Sequence, residues 1–212
     1  MTFDVASYLG AVDRSVSSLD RDGKPARAVT LSRRYDTTAE DLWDAMTNPE
    51  RLPRWFLPVS GDLRQGGRYQ LEGNAGGVIS ACVAPKNLDL TWEFGGETSW
   101  VEVRLTPEGP GRTRLTLAHI AHVSEHWGKY GPGAAGIGWE LGLAGLALHL
   151  ADPSARLDEQ EFSTSPDGRA FMVASGDAWG EADIASGAEP SEARASARRT
   201  IAFYTATAQP QD

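Results

Sequence analysis

The chain has 212 residues, 41% hydrophobic and 23% charged, with 29 acidic against 20 basic side chains and a net charge of −9. That size and balance suit one good-sized globular domain or a domain with an appendage, and the acidic surplus excludes a nucleic-acid partner, because no basic stripe meets the phosphates. A single cysteine, Cys82, rules out an internal disulfide framework. The opening MTFDVASYLG lacks a basic then apolar signal, so a cytoplasmic protein is expected.

Taken in order, residues 2–10 suit a short helix with Val5, Tyr8 and Leu9 partly on one face. Two strands then flank Asp22-Gly23, a strong hairpin signal, and on the second Val29, Leu31, Arg33 and Tyr35 alternate with Thr30, Ser32 and Arg34. Thr37-Thr38 supplies an N-cap for a helix over 39–47 that is expected to point Leu42, Trp43 and Met46 inward, with Glu40 and Asp41 favoured in its first turn by the helix dipole. Asn48-Pro49 opens a second short helix, PERLPRWF, bent or ended at Pro53.

From residue 57 to 121 the apolar period changes to two, giving about six short strands whose brief connections make neighbours antiparallel. Leu88, Leu90, Trp92 and Phe94 form one face. Val101, Val103 and Leu105 form another, which puts Trp100, Glu102 and Arg104 on the opposite side, and Leu115, Leu117 and His119 share a face.

Residues 136–150, GIGWELGLAGLALHL, are the longest apolar helix-forming run, and the rest of the chain is organised around it. Trp139, Leu143, Leu146 and Leu150 recur at helical spacing, while Leu141 and Leu148 lie off that face, so the helix is covered on more than one side. Gly138, Gly142 and Gly145 make a second stripe, each costing about 0.8–1 kcal/mol against Ala, which implies a close neighbour. The run reads as too short and, with Glu140 and His149, too polar to span a bilayer. Residues 152–164 read as a loop. Ser165-Pro166 then opens a helix whose apolar face is Phe171, Ala174, Ala178, Ala182 and Ala185, flanked by Met172 and Trp179. Gly187 ends it, and Pro190 begins another helix with Ala193, Ala197, Ile201 and Tyr204 aligned. This hairpin is expected to cover the central helix; a dimer interface there is the alternative.

Strand, two short helices, antiparallel meander and long helix, carried by DTTAEDLWDAMTNPERLPRWF, GDLRQGGRYQLEG, LDLTWEF, TRLTLAH and GWELGLAGL, resemble the SRPBCC, or START-like helix-grip, superfamily. More narrowly, they are similar to bacterial proteins related to the C-terminal domain of the activator of the ninety-kilodalton heat-shock-protein ATPase. The resemblance covers residues 25–150 and implies an α+β helix-grip fold, a curved antiparallel sheet wrapped around a long helix with a hydrophobic cavity between them, here with an α-helical C-terminal hairpin. The expected organisation is residues 1–24 as a short helix and first strand, 25–151 as the helix-grip domain, and 152–212 as a loop and two-helix extension.

Several residues suggest chemistry. His119, His122, Glu125 and His126 fall close together, but His119 and His122 sit on opposite faces of a strand and His126 in the next loop, so no metal is expected. Glu140 is either a cavity acid with a raised pKa or, the favoured reading, a solvent-facing residue of the first turn. GxSxG, a P-loop and a βα glycine fingerprint are all missing, so neither a catalytic residue nor a cofactor is assigned. The implied cavity would be lined by Trp55, Tyr69, Trp92, Trp100, His119, Trp139 and Glu140 and would take a lipid, polyketide or aromatic compound. A polyketide cyclase or aromatase is the enzymatic alternative, with His119, Glu140 and Arg33 as its polar groups. A chaperone partner is disfavoured, because the first 24 residues hold no counterpart of the activator's N-terminal domain, and no membrane association is expected.

Overall fold

The structure is a computed structural model describing residues 4–154 and 159–207. In chain order it runs α1 (Val5–Gly10), β1 (Val12–Arg21), β2 (Lys24–Tyr35), α2 (Ala39–Thr47), a 3-10 turn at Leu52–Arg54, then β3 (Val59–Gly61), β4 (Arg68–Leu71), β5 (Gly76–Val83), β6 (Asn87–Phe94), β7 (Glu97–Pro107) and β8 (Thr113–His122). The helices α3 (Glu125–Tyr130), α4 (Gly133–Ala151), α5 (Glu159–Thr164), α6 (Pro166–Ala185) and α7 (Pro190–Thr207) follow. The strands form one antiparallel sheet in the order β1-β2-β8-β7-β6-β5-β4-β3.

Two compact units are distinguishable. One comprises Met1–Leu31, His122–Ala144 and Leu157–Asp212; the other comprises Ser32–Ala121 and Gly145–Arg156. Both β2 and α4 contribute residues to each.

In the second unit, Thr38 caps α2 by accepting from the Asp41 amide, and the buried face is Ala39, Leu42 and Ala45. Trp43 and Met46, expected inward, are only half-buried. The expected second helix over PERLPRWF shrinks to Leu52–Arg54, with Pro53 inside that single turn and Pro49 before it. The meander follows the two-residue period. At Gly95-Gly96, φ values of 62° and 83° make a turn only glycine adopts readily, and it sets Phe94 opposite Glu97.

In the first unit, α1 begins at Val5, while the expected start at Thr2 lies outside the described residues. Helix α3 replaces the loop expected around His126, because the Ser124 hydroxyl accepts from the Trp127 amide and caps it. Helix α5 occupies part of the expected 152–164 loop, of which 155–158 lie outside the described residues. Ser165 caps α6 as expected. The buried face of α6 is instead Phe171, Met172, Ser175, Gly176, Trp179, Gly180 and Asp183, while Ala174 and Ala185 are exposed. The reason is steric: a Cβ on Gly176 would stand 2.4 Å from Ile201 Cγ1, and one on Gly180 3.1 Å from Ala197 Cβ, so α7 docks along the glycines.

The C-terminal hairpin packs on the first half of α4 within the same chain: a Cβ on Gly136 would lie 2.3 Å from Trp179 Cε2, and one on Gly138 3.3 Å from Tyr204 Oη. Helix α4 is 19 residues long and, by length and composition, is long and apolar enough to cross a membrane, contrary to the shorter run expected. Half of that stretch is buried within the protein, as suits a core helix.

Candidate functional site

The register of β5–β8 arranges the second unit's apolar side chains in rows. Leu105 faces Leu115; Leu88, Val103 and Leu117 stand in the next row; Ile79, Leu90, Val101 and His119 in the one after; Trp92 and Ser99 beyond it. Residues directly opposite share a face, so these rows form one continuous surface. Exposure rises along it. Leu115 is 0% exposed and Leu117 3%, Leu90, His119, Trp92 and Ser99 are half-buried, and Phe94 at the far end is 57% exposed. The dry end is aliphatic and the open end aromatic.

Trp92 and His119 meet there, their ring centroids 6.2 Å apart and tilted by 54°. Ser99, one row over, sits 2.8 Å from His119 Nε2 and donates its hydroxyl proton to the Trp92 carbonyl at 3.2 Å. A hydroxyl has one proton, so His119 must donate at Ser99 Oγ, which assigns the Nε2–H tautomer. Burial pushes the His119 pKa down to about 4, and the ring is neutral at pH 7. Tyr69 joins from β4, opposite Gly77. Its hydroxyl donates to the Thr91 carbonyl at 2.8 Å, reaching past β5 to β6. A Cβ on Gly77 would stand 2.1 Å from that same carbonyl, so glycine keeps the crossing clear. Burial, then the nearby Glu93 charge, raise the Tyr69 pKa and keep the phenol protonated.

The other expected residues go elsewhere. Trp100 alternates with Val101 and pairs with Ile120, so it lies on the opposite face of the sheet from Trp92 and His119 and does not join them. Trp55 gives its indole N–H to the Ala45 carbonyl at 2.9 Å and stacks on Phe56, while its own carbonyl would lie 2.6 Å from a Cβ on Gly145. It fastens the turn after α2 to the second half of α4. Arg33 holds its guanidinium 5.5 Å from the Tyr35 ring centre, on the face opposite Ser32, whose hydroxyl meets Thr116 and Arg114.

Trp139 and Glu140 belong to the first unit. Glu140 corrects the reading that favoured solvent: it is 0% exposed. Nor is it an unengaged acid. Its two oxygens take Arg14 Nε at 2.5 Å and Nη2 at 3.1 Å, and Arg14 also donates to the Val12 and Leu9 carbonyls. A carboxylate clamped by a guanidinium fork is an anchor between β1 and α4. The three neighbouring histidines part company, His119 to Ser99, His122 to the Arg21 carbonyl at 2.9 Å and His126 onto the Tyr130 ring. Among the described residues, no group of three or more His, Cys, Asp or Glu side chains converges.

Sequence reasoning passed over Ser99 and Arg14. Ser99 was within reach: counting back from the Gly95-Gly96 turn pairs 94 with 97 and 92 with 99. Arg14 gave no local signal, being 126 residues from its partner.

The family model described as Activator of Hsp90 ATPase homolog 1-like protein matches residues 36–151. The crystal structure of CalU16 from Micromonospora echinospora is 31% identical, covers 81% of this chain and 98% of its own, and superposes with a TM-score of 0.66. Its solution structure gives 30% identity, 83% and 97% coverage and a TM-score of 0.70. DynU16, from the dynemicin biosynthetic locus, shares the fold at 21% identity and a TM-score of 0.51 over 62% of this chain and 50% of its own. No curated protein sequence matches significantly.

Proposed function

Because the chain belongs to the Activator of Hsp90 ATPase homolog 1-like family, within the helix-grip SRPBCC proteins, we propose that it binds a hydrophobic small molecule against the aromatic end of the sheet face. The observation that carries this reading is the gradient from Leu115, wholly buried, to the half-buried Trp92 and His119 and the exposed Phe94. A protein that needed this face only for its core would close it with aliphatic side chains; rings left half-open suit a non-protein partner. This reading assigns the ligand contact to Tyr69, Trp92 and His119, which share that sheet face. Catalysis has little to work with. Arg14 occupies both oxygens of Glu140, and the Nε2 proton of His119 is given to Ser99.

Native mass spectrometry of the protein purified from its own host tests the proposal. A co-purifying lipid, polyketide or aromatic compound near one equivalent, absent from a Trp92→Glu variant of unchanged melting temperature, is the expected result. A protein that comes out empty and stays empty after exposure to a library of hydrophobic compounds overturns it.

A further inference from the structure

Helix α4 carries a buried histidine in its last turn. His149 is 1% exposed, and among the described residues neither Nδ1 nor Nε2 has a hydrogen-bond partner. It lies one turn beyond Gly145, on the side of α4 against which the Trp55 backbone presses, because residues four apart share a helix face. The elbow made by α2 and the 3-10 turn after it supplies the charges that reach the ring, Arg51, Arg54 and Asp41. On α4's own side, Asp152 turns Oδ1 to the Ser154 amide and hydroxyl.

The acceptors of the elbow are already engaged. Asp41 receives Arg51 Nη1 on Oδ1 at 2.8 Å and the Thr37 hydroxyl on Oδ2 at 2.6 Å, and Arg51 Nη1 also reaches Asp44 Oδ2 at 2.9 Å. A neutral imidazole is tolerated in so dry a place. An imidazolium brings two N–H donors and a charge to a spot that already faces two guanidiniums. Burial, then the charges of Arg51 and Arg54, hold the His149 pKa below its ordinary value against the pull of Asp41, so the ring is neutral at pH 7. The dipole of α4 favours a cation in its last turn, which eases the proton's entry without supplying an acceptor.

We infer that His149 makes this elbow an acid-sensitive clasp, in which protonation of the ring loosens α2 and the turn carrying Trp55 from the second half of α4. The imidazolium gains an acceptor either by displacing Arg51 from Asp41 or by admitting water between the elbow and the helix. Both routes disturb Trp55, whose indole N–H is given to the Ala45 carbonyl and whose own carbonyl lies against Gly145.

Fluorine NMR of the full chain labelled with 5-fluorotryptophan tests the clasp, with the Trp55 resonance assigned by its loss in Trp55→Phe. Titrated from pH 8 to 4.5, that resonance should hold still above pH 7 and then shift or split with a midpoint below the ordinary histidine value of 6.5. The transition should vanish in His149→Gln and persist in His119→Phe. In Arg54→Gln, which removes one like charge from an exposed position, its midpoint should move to higher pH. A Trp55 resonance that stays fixed to pH 4.5 in the wild type overturns the clasp, as does one that still moves in His149→Gln or stops moving in His119→Phe. An unchanged midpoint in Arg54→Gln overturns the charge conflict as its cause. Melting temperatures at pH 7 confirm that each variant is folded, and His149→Phe, which fills the same dry space without a titrating proton, must give the same result as His149→Gln.

Discussion

Two glycines on α4, two residues apart, should respond in opposite ways to the same substitution. Gly136→Ala places a methyl carbon 2.3 Å from Trp179 Cε2 and Nε1 and 2.7 Å from Cδ2. Carbon atoms rest comfortably at about 3.5 Å, so the ring or the helix must move by about 1.2 Å. Trp179 is 0% exposed and packed between α4 and α7, which leaves it nowhere to retreat. Overpacking of this kind costs about 1–3 kcal/mol. The helix-propensity gain of Ala over Gly is at most about 1 kcal/mol, and less in the first turn, where Gly136 sits. The net expectation is a loss of about 1–2 kcal/mol, or a melting temperature lower by about 3–6 °C for a chain of this size. Gly138→Ala instead meets Tyr204 Oη at 3.3 Å, where the hydroxyl that donates to the Ala134 carbonyl at 2.9 Å need give way by only a few tenths of an ångström, and should be neutral or up to about 1 kcal/mol stabilising. Chemical denaturation of the two variants, followed by circular dichroism, reads both numbers. A Gly136→Ala protein as stable as wild type would refute the claim that α6 seats its tryptophan on the bare backbone of α4. Adding Trp179→Leu should return part of the loss.

Three further outcomes follow from single contacts. Glu140→Ala leaves the Arg14 guanidinium without its counter-charge where its side chain is only 11% exposed, and should cost about 3–5 kcal/mol; the double change Arg14→Met with Glu140→Leu should recover most of it, and equal losses in both variants would contradict an anchor role. His119 stays neutral down to about 4 in the folded state, while in the unfolded chain it protonates near 6.5. The unfolded state therefore takes up the extra proton as pH falls from 6.5 to 4, so stability is lost across that window, by about 3 kcal/mol in full, and the loss levels off below it. Denaturation midpoints at pH 7, 5.5 and 4.5 should diverge between wild type and His119→Phe, whereas a constant difference would contradict the buried neutral ring. Tyr69→Phe removes the donor to the Thr91 carbonyl and should cost about 1 kcal/mol, read by urea melts; a variant as stable as wild type would contradict that bond's role in tying β4 to β6.

How far the sequence was legible depends on the range of the forces involved. The meander was readable because its period is two and its turns are short. Once Gly95-Gly96 is taken as a two-residue turn, the pairing of Trp92 with Ser99 and the placing of Trp100 on the other face follow by counting. Helix α6 was harder. A 3.6-residue period offers several faces, and an alanine stripe looks more apolar than a glycine one; only the approach of Ile201 and Ala197 decides that Gly176 and Gly180 turn inward. Helix α3 depends on one Ser124 cap, a signal too small to outweigh its charged and glycine-containing sequence. The site residues follow the same division. Glu140 and His119 were visible as chemistry-bearing types, yet what each one does is set by who holds its oxygens or its proton: Arg14, 126 residues away, for one, and Ser99 on the neighbouring strand β7 for the other. A histidine whose proton is committed to a serine that is itself committed to a carbonyl contributes a flat neutral surface. A glutamate locked in a guanidinium fork contributes a strut. Residue type proposes a chemistry, and the destination of each proton decides whether the fold keeps it.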